Sequence, residues 1–147
     1  MGNEYPNGRE VNYDYGTTGA IDDIMSRLAS IKDDDGSTVL ASYKYLGGGT
    51  IVTEDYEVPD VRLDYTGTDN SYSGFDRFAR VVDQLWRDYG SNPDQDADRF
   101  KYGHDRAGNR LWKENDVAAN LGTPVHLDEL YDYDGCHSFH NSCRKLG

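Results

Sequence analysis

Tyr102-Gly103-His104-Asp105-Arg106-Ala107-Gly108-Asn109-Arg110-Leu111 is the stretch on which the reading of this chain turns. A tyrosine is followed two residues on by a second ring and six residues on by glycine. The pattern begins again at Tyr13-Asp14-Tyr15, with Gly19, and at Tyr43-Lys44-Tyr45, with Gly49. It begins once more at Tyr131-Asp132-Tyr133-Asp134, where His137 takes the glycine place. The starts lie 30, 59 and 29 residues apart, and 59 is close to twice 30. A missing copy is expected around Leu63-Asp64-Tyr65, stretched by the polar segment Thr66 to Ser73. Recurrence at such a period marks stacked supersecondary units.

The physics of the unit is that of a hairpin. Rings at i and i+2 share one face of a strand. The following glycine permits the positive φ of a tight turn, after which a second strand returns. Ala107-Gly108-Asn109 before Arg110-Leu111-Trp112 reads as turn and return, and Asp35-Gly36 reads as a turn between Leu28 to Ile31 and Val39 to Tyr45. Val39, Ala41, Tyr43 and Tyr45 alternate with Leu40, Ser42 and Lys44, and Val61, Leu63 and Tyr65 alternate with Arg62 and Asp64. That alternation describes antiparallel strands with one buried face. Two segments carry a competing period. Ile21, Ile24, Met25, Leu28 and Ile31 fall at helical spacing, as do Phe75, Phe78, Val82, Leu85, Trp86 and Tyr89. Residues 75–89 read locally as helix or strand; the repeat context favours strand.

Composition agrees with β structure and excludes several functions. The 147 residues carry 27 Asp+Glu against 15 Lys+Arg, a formal net charge of -12. Such a charge opposes nucleic-acid backbones and anionic lipid. No apolar run is long enough to cross a membrane as a helix. Twelve Tyr, four Phe and two Trp supply faces to bury, which argues against disorder, while sixteen Gly and two Met argue against a helical bundle. The two cysteines, Cys136 and Cys143, give the body of the chain no disulfide framework, and Met1-Gly-Asn-Glu-Tyr-Pro does not resemble a signal peptide.

The unit Tyr-x-Tyr-Asp-x-x-Gly-x-Arg-Leu resembles the YD repeat of the Rhs family, on residues 102–111 most closely and on Tyr13 to Gly19, Tyr43 to Gly49 and Tyr131 to Gly135 as further copies. Gly74-Phe75-Asp76-Arg77-Phe78 with Arg80-Val81-Val82 resembles a copy without its tyrosines. The resemblance implies β-hairpins wound into a spiralling sheet that closes into a hollow shell, as in bacterial members that enclose a C-terminal toxin domain and in teneurins. It implies a secreted or cell-envelope scaffold whose partners are neighbouring YD repeats of a parent polypeptide and an enclosed toxin-like domain. The family's self-cleavage stretch has no counterpart here, so no autoproteolytic residue is carried over. The shift after Gly135, to Cys136-His137-Ser138-Phe139-His140 and onward to Gly147, leads us to expect a truncated or frame-shifted gene end.

Candidate chemistry is thin. Cys136, His137, His140 and Cys143 are zinc-ligand types, but without paired knuckles an unstructured tail is the plainer reading. Asp94, Asp96 and Asp98 have calcium-loop spacing, but Arg99 stands where the loop needs Gly and Asp105 where it needs Glu. A solvated loop joining two strand blocks is preferred, and a hairpin turn for Asp33-Asp34-Asp35-Gly36. No nucleophile elbow, zinc-protease helix or P-loop is present, and Gly47-Gly48-Gly49 lacks the Lys-Ser/Thr of a phosphate loop. His104 beside Asp105 stands in a tyrosine place, which favours packing over catalysis.

The expectation is therefore an all-β array of antiparallel β-hairpins in an open, curved, twisted sheet, a piece of an Rhs-like shell. Residues 1–10 are expected to be loose, 11–135 to hold the repeats and 136–147 to form an atypical tail. The repeat-defining residues are Tyr13, Tyr15, Gly19, Tyr43, Tyr45, Gly49, Tyr102, Asp105, Gly108, Arg110, Tyr131, Tyr133 and Asp134. No catalytic, cofactor or metal residue is expected, and neither nucleic acid nor membrane insertion. The alternative is a carbohydrate- or protein-binding module that uses its tyrosine rows.

Overall fold

The computed structural model describes residues 2–123, 125, 127–133 and 139–142. The fold is nearly all β, built of antiparallel strands. The chain divides into two compact units, residues 1–64 with 88–95, and residues 65–87 with 96–147. Within each, strands that follow one another in sequence are neighbours in the sheet.

The first unit holds β1 (Gly2–Glu4), β2 (Glu10–Asp14), β3 (Ser30–Lys32), β4 (Val39–Leu46), β5 (Thr50–Tyr56) and β6 (Val61–Asp64). One cross-strand row is polar: Asp14 faces Ser30, Ser30 faces Ser42, Ser42 faces Asp55 and Asp55 faces Arg62. Its alternate row runs from Tyr13 to Ile31 to Ala41. This is the two-faced alternation expected of a half-buried sheet. Val11, Ala41, Val52 and Leu63 are buried, and no large described side chain is fully covered. The core is a thin apolar stripe.

The second unit begins with a bridge between Phe75 and Val81. Most of β7 (Asp83–Asp88) and β8 (Gln95–His104) follow, then β9 (Arg110–Asn115), β10 (Glu129–Tyr133) and β11 (Phe139–Ser142). β8 pairs with β9, β9 with β10 and β10 with β11. Gly103 faces Trp112 across β8 and β9. A Cβ on Gly103 would come within 1.9 Å of the Trp112 indole nitrogen, so the ring lies directly on the glycine backbone.

One turn geometry recurs. In residues 105–109 the Asp105 N–H donates to the Asn109 carbonyl at 2.9 Å, the Gly108 N–H donates back to the Asp105 carbonyl, and Gly108 has φ of 95°. Residues 76–80 repeat it 29 positions earlier, with 2.9 Å from the Asp76 N–H to the Arg80 carbonyl and φ of 60° at Ala79. Residues 5–9 show it too, with Gly8 at φ of 79°. A left-handed fourth residue closing a three-residue loop suits the twist of paired strands.

Over 75–89 the preferred strand reading holds in part: residues 76–80 are a turn, at the place of the copy without tyrosines, and β7 follows. Helical spacing over 21–31 yields only α1 (Ile21–Ile24), because the backbone turns left-handed at Ser26, and β3 begins at Ser30. Other expectations need correction. After Tyr43 and Tyr45 the left-handed residue is Gly47, not Gly49. Gly19 does have φ of 81°, but it lies in the long β2–β3 connection that contains α1 rather than in a tight hairpin. Within the segment expected to be loose, β1 pairs with β2. The polar segment 92–98 is only partly a loop, because β8 already starts at Gln95. Asp134, Cys136, His137, Cys143 and the side chain of His140 lie outside the described residues.

Candidate functional site

Aspartates build the turns. The Asp105 carboxylate accepts from the Asn109 N–H at 2.8 Å and from the Asn109 amide at 2.9 Å. The Asp76 carboxylate accepts from the Phe78 N–H at 2.8 Å, the Arg80 N–H at 3.0 Å and the Arg80 Nε at 2.7 Å. Burial opposes its ionisation, but these hydrogen bonds outweigh burial and hold its pKa near about 2. Asp14, Asp35 and Asp88 cap following backbone N–H groups in the same manner. Five of the 27 acidic residues thus serve turns.

Arginines then tie turn to turn. The Arg80 guanidinium, anchored on Asp76, also donates to the Asp105 carbonyl at 2.8 Å. In the first unit Arg9, at the equivalent place in its turn, forks onto both oxygens of Asp33 at 2.8 Å each. Asp33 opens the next turn, in which Gly36 has φ of 69°. Elsewhere Arg27 joins Asp22 to the Gly47 carbonyl and lies over the Tyr45 ring. Arg62 reaches Asp55 and lies over Tyr89, whose hydroxyl donates to Asp55 at 2.7 Å.

The predicted tyrosines divide between surroundings. In the second unit Arg110 lies 4.3 Å over the Tyr102 ring, the Tyr102 hydroxyl bonds Gln84, and the Tyr133 hydroxyl donates to the Arg110 carbonyl at 2.8 Å. Tyr102, Arg110 and Tyr133 thus meet next to the turn that holds Asp105 and Gly108, while Tyr131 donates to Glu129. In the first unit Tyr45 donates to the Leu28 carbonyl, Tyr15 is exposed, and Tyr13 and Tyr43 line a hollow of about 610 Å³. Val11, Ile31, Leu40 and Ala41 line it too, with Tyr5, Tyr56, Asn7 and Arg9. Tyr13 on β2 and Tyr56 on β5 stand three strand spacings apart, about 14 Å. The small Ala41 leaves the space between them open.

Tyr5, Tyr56 and the Arg9–Asp33 and Arg80–Asp105 ties escape the sequence pattern. The recoverable signal was the arginine directly after the left-handed residue in Gly8-Arg9 and Ala79-Arg80. Asp96 and Asp98 do not converge as calcium ligands: Asp96 faces Arg87 and Arg99, and Asp98 accepts from Asn115. Among the described residues no group of three or more His, Cys, Asp or Glu is placed to hold a metal ion, and no helix is long and apolar enough to cross a membrane. His104 sits where the β8–β9 register slips, with its Nδ1 buried and unpartnered. Compared with known proteins, the chain matches no protein-family model and no curated protein.

Proposed function

We propose that this chain is a structural repeat segment of a larger Rhs-type secreted or cell-envelope protein, a scaffold that encloses or displays a cargo domain and does no chemistry of its own. The observation that supports this is the recurring turn whose arginine ties it to the next turn, at 76–80 with 105–109 and at 5–9 with 33–36. Two turns are thus each stabilised by a later one, as in repeat proteins whose units gain from their neighbours. The test is the DNA on either side of the reading frame. Further Tyr-Asp-x-x-Gly units in continuous frame support the reading. Flanking sequence without them overturns it.

A second reading is favoured by the tyrosine-walled hollow of the first unit. A module of this kind binds a neutral sugar or a protein side chain between Tyr13, Tyr43 and Tyr56, with rings stacking on an apolar face. Calorimetric titration with neutral oligosaccharides tests the sugar form, and no heat at millimolar ligand removes it.

A further inference from the structure

His104 occupies the second ring place of the repeat unit, where the other copies carry Tyr15, Tyr45 and Tyr133. Unlike a phenol, an imidazole changes charge near neutral pH. Its surroundings are set by the junction of two turns. The 76–80 turn presents the Arg80 guanidinium, held on the Asp76 carboxylate and the Asp105 carbonyl. From β9, Arg110 is the direct cross-strand partner of His104. Asp105 follows in the chain and faces it as well. Both carboxylates are already engaged, Asp76 by Arg80 and two turn N–H groups, Asp105 by Asn109. The buried Nδ1 has no acceptor for a second proton.

We propose that His104 is an acid-sensitive release built into this hairpin junction: neutral, it fills the space between two turns, and protonated, it faces two arginines with no free acceptor and loosens the Arg80–Asp105 tie. Burial, then the charges of Arg80 and Arg110, lower its pKa in the folded chain, against the weaker pull of Asp76 and Asp105. The unfolded chain therefore binds the proton more readily. The stability contributed by neutral His104 is complete above the ordinary imidazole value and is lost as pH falls through it toward the lower folded value. In this reading a scaffold built from such units yields first at 76–80 and 105–109 when acidified.

The test compares the full chain with His104→Tyr by urea unfolding at about pH 7.5 and about pH 5.5, on either side of the ordinary imidazole pKa. The expected result is a fall in the unfolding midpoint on acidification for the wild type and little or none for His104→Tyr. Arg80→Gln, which removes one of the facing cations, is expected to show a smaller fall than wild type. An equal fall in wild type and His104→Tyr overturns the proposal. Should the variants fail to fold, the imidazole resonances of the wild type decide: a His104 titration at or above the ordinary histidine value overturns the proposal, and one below it supports it.

Discussion

Arg80 holds the Asp105 carbonyl at 2.8 Å while its Nε rests on Asp76 at 2.7 Å, so one guanidinium belongs to two turns that lie 29 residues apart. Hydrogen bonds from a charged donor contribute about 1.5–3 kcal/mol each when the partner is withdrawn from water, less where it is exposed. Arg80→Ala is therefore expected to destabilise the chain by about 1–3 kcal/mol in urea unfolding, with the Asn109 amide losing protection from hydrogen exchange. Unchanged protection in residues 105–109 would contradict the tie.

Ala79 and Gly108 hold equivalent left-handed places, and only one is glycine. A residue with a Cβ is strained there by about 1–2 kcal/mol, partly offset by the entropy glycine loses on folding. Ala79→Gly should stabilise by about 0.5–1 kcal/mol and Gly108→Ala should destabilise by a similar or larger amount. Opposite signs in a pair of thermal melts are the expected outcome.

Gly103→Ala places a methyl group where the Trp112 ring lies. The indole must move, at a cost of about 1–3 kcal/mol typical of overpacking. Its emission should shift toward that of a solvated indole. In a Trp112→Ala background the same change should cost less, since neighbouring sites couple.

The Tyr89 hydroxyl is partly buried and donates to Asp55, and desolvation and this bond together push its pKa up to about 12 from 10.0. Its neutral form is favoured by folding, so this contribution is complete below the ordinary phenol value and is lost as pH rises through it toward 12. Asp76 works at the other end. Held near about 2, it contributes above the ordinary carboxylate value of 3.8 and loses that contribution as pH falls toward 2. Phenolate absorbance of Tyr89→Phe against wild type should show one late-titrating phenol fewer, the Tyr56 phenol, raised to about 12 by its bond to Glu54, remaining. Asp76→Asn should flatten the acid limb of the stability profile.

The hairpin array was legible because alternation and turn chemistry both write themselves locally. Val39 to Tyr45 alternates, Asp35-Gly36 turns, and the 105–109 turn carries glycine at its left-handed place. Residues 75–89 carried a competing helical spacing, since a turn of five residues between apolar positions mimics that period, and the repeat context, not local spacing, favoured strand. The 76–80 turn could be read only through its resemblance to the repeat, since Ala79 does a glycine's work there at φ of 60°. The tyrosine-walled hollow could not be read, because Tyr5 and Tyr56 lie outside the Tyr-x-Tyr dyads and join Tyr13 and Tyr43 only through strand pairing. The turn-to-turn arginines were hidden for the same reason: Arg9 and Asp33 are 24 residues apart, and no local rule links them.

The handover from Arg9 to Asp33 and from Arg80 to Asp105 has an evolutionary corollary. A gene for such a chain keeps these joints when it grows or shrinks in blocks that carry a reaching turn together with its hold, since the holding turns, with Asn109 at the arginine place and none in 33–38, do not themselves reach onward. An insertion of any other length strands a guanidinium with nothing to grasp.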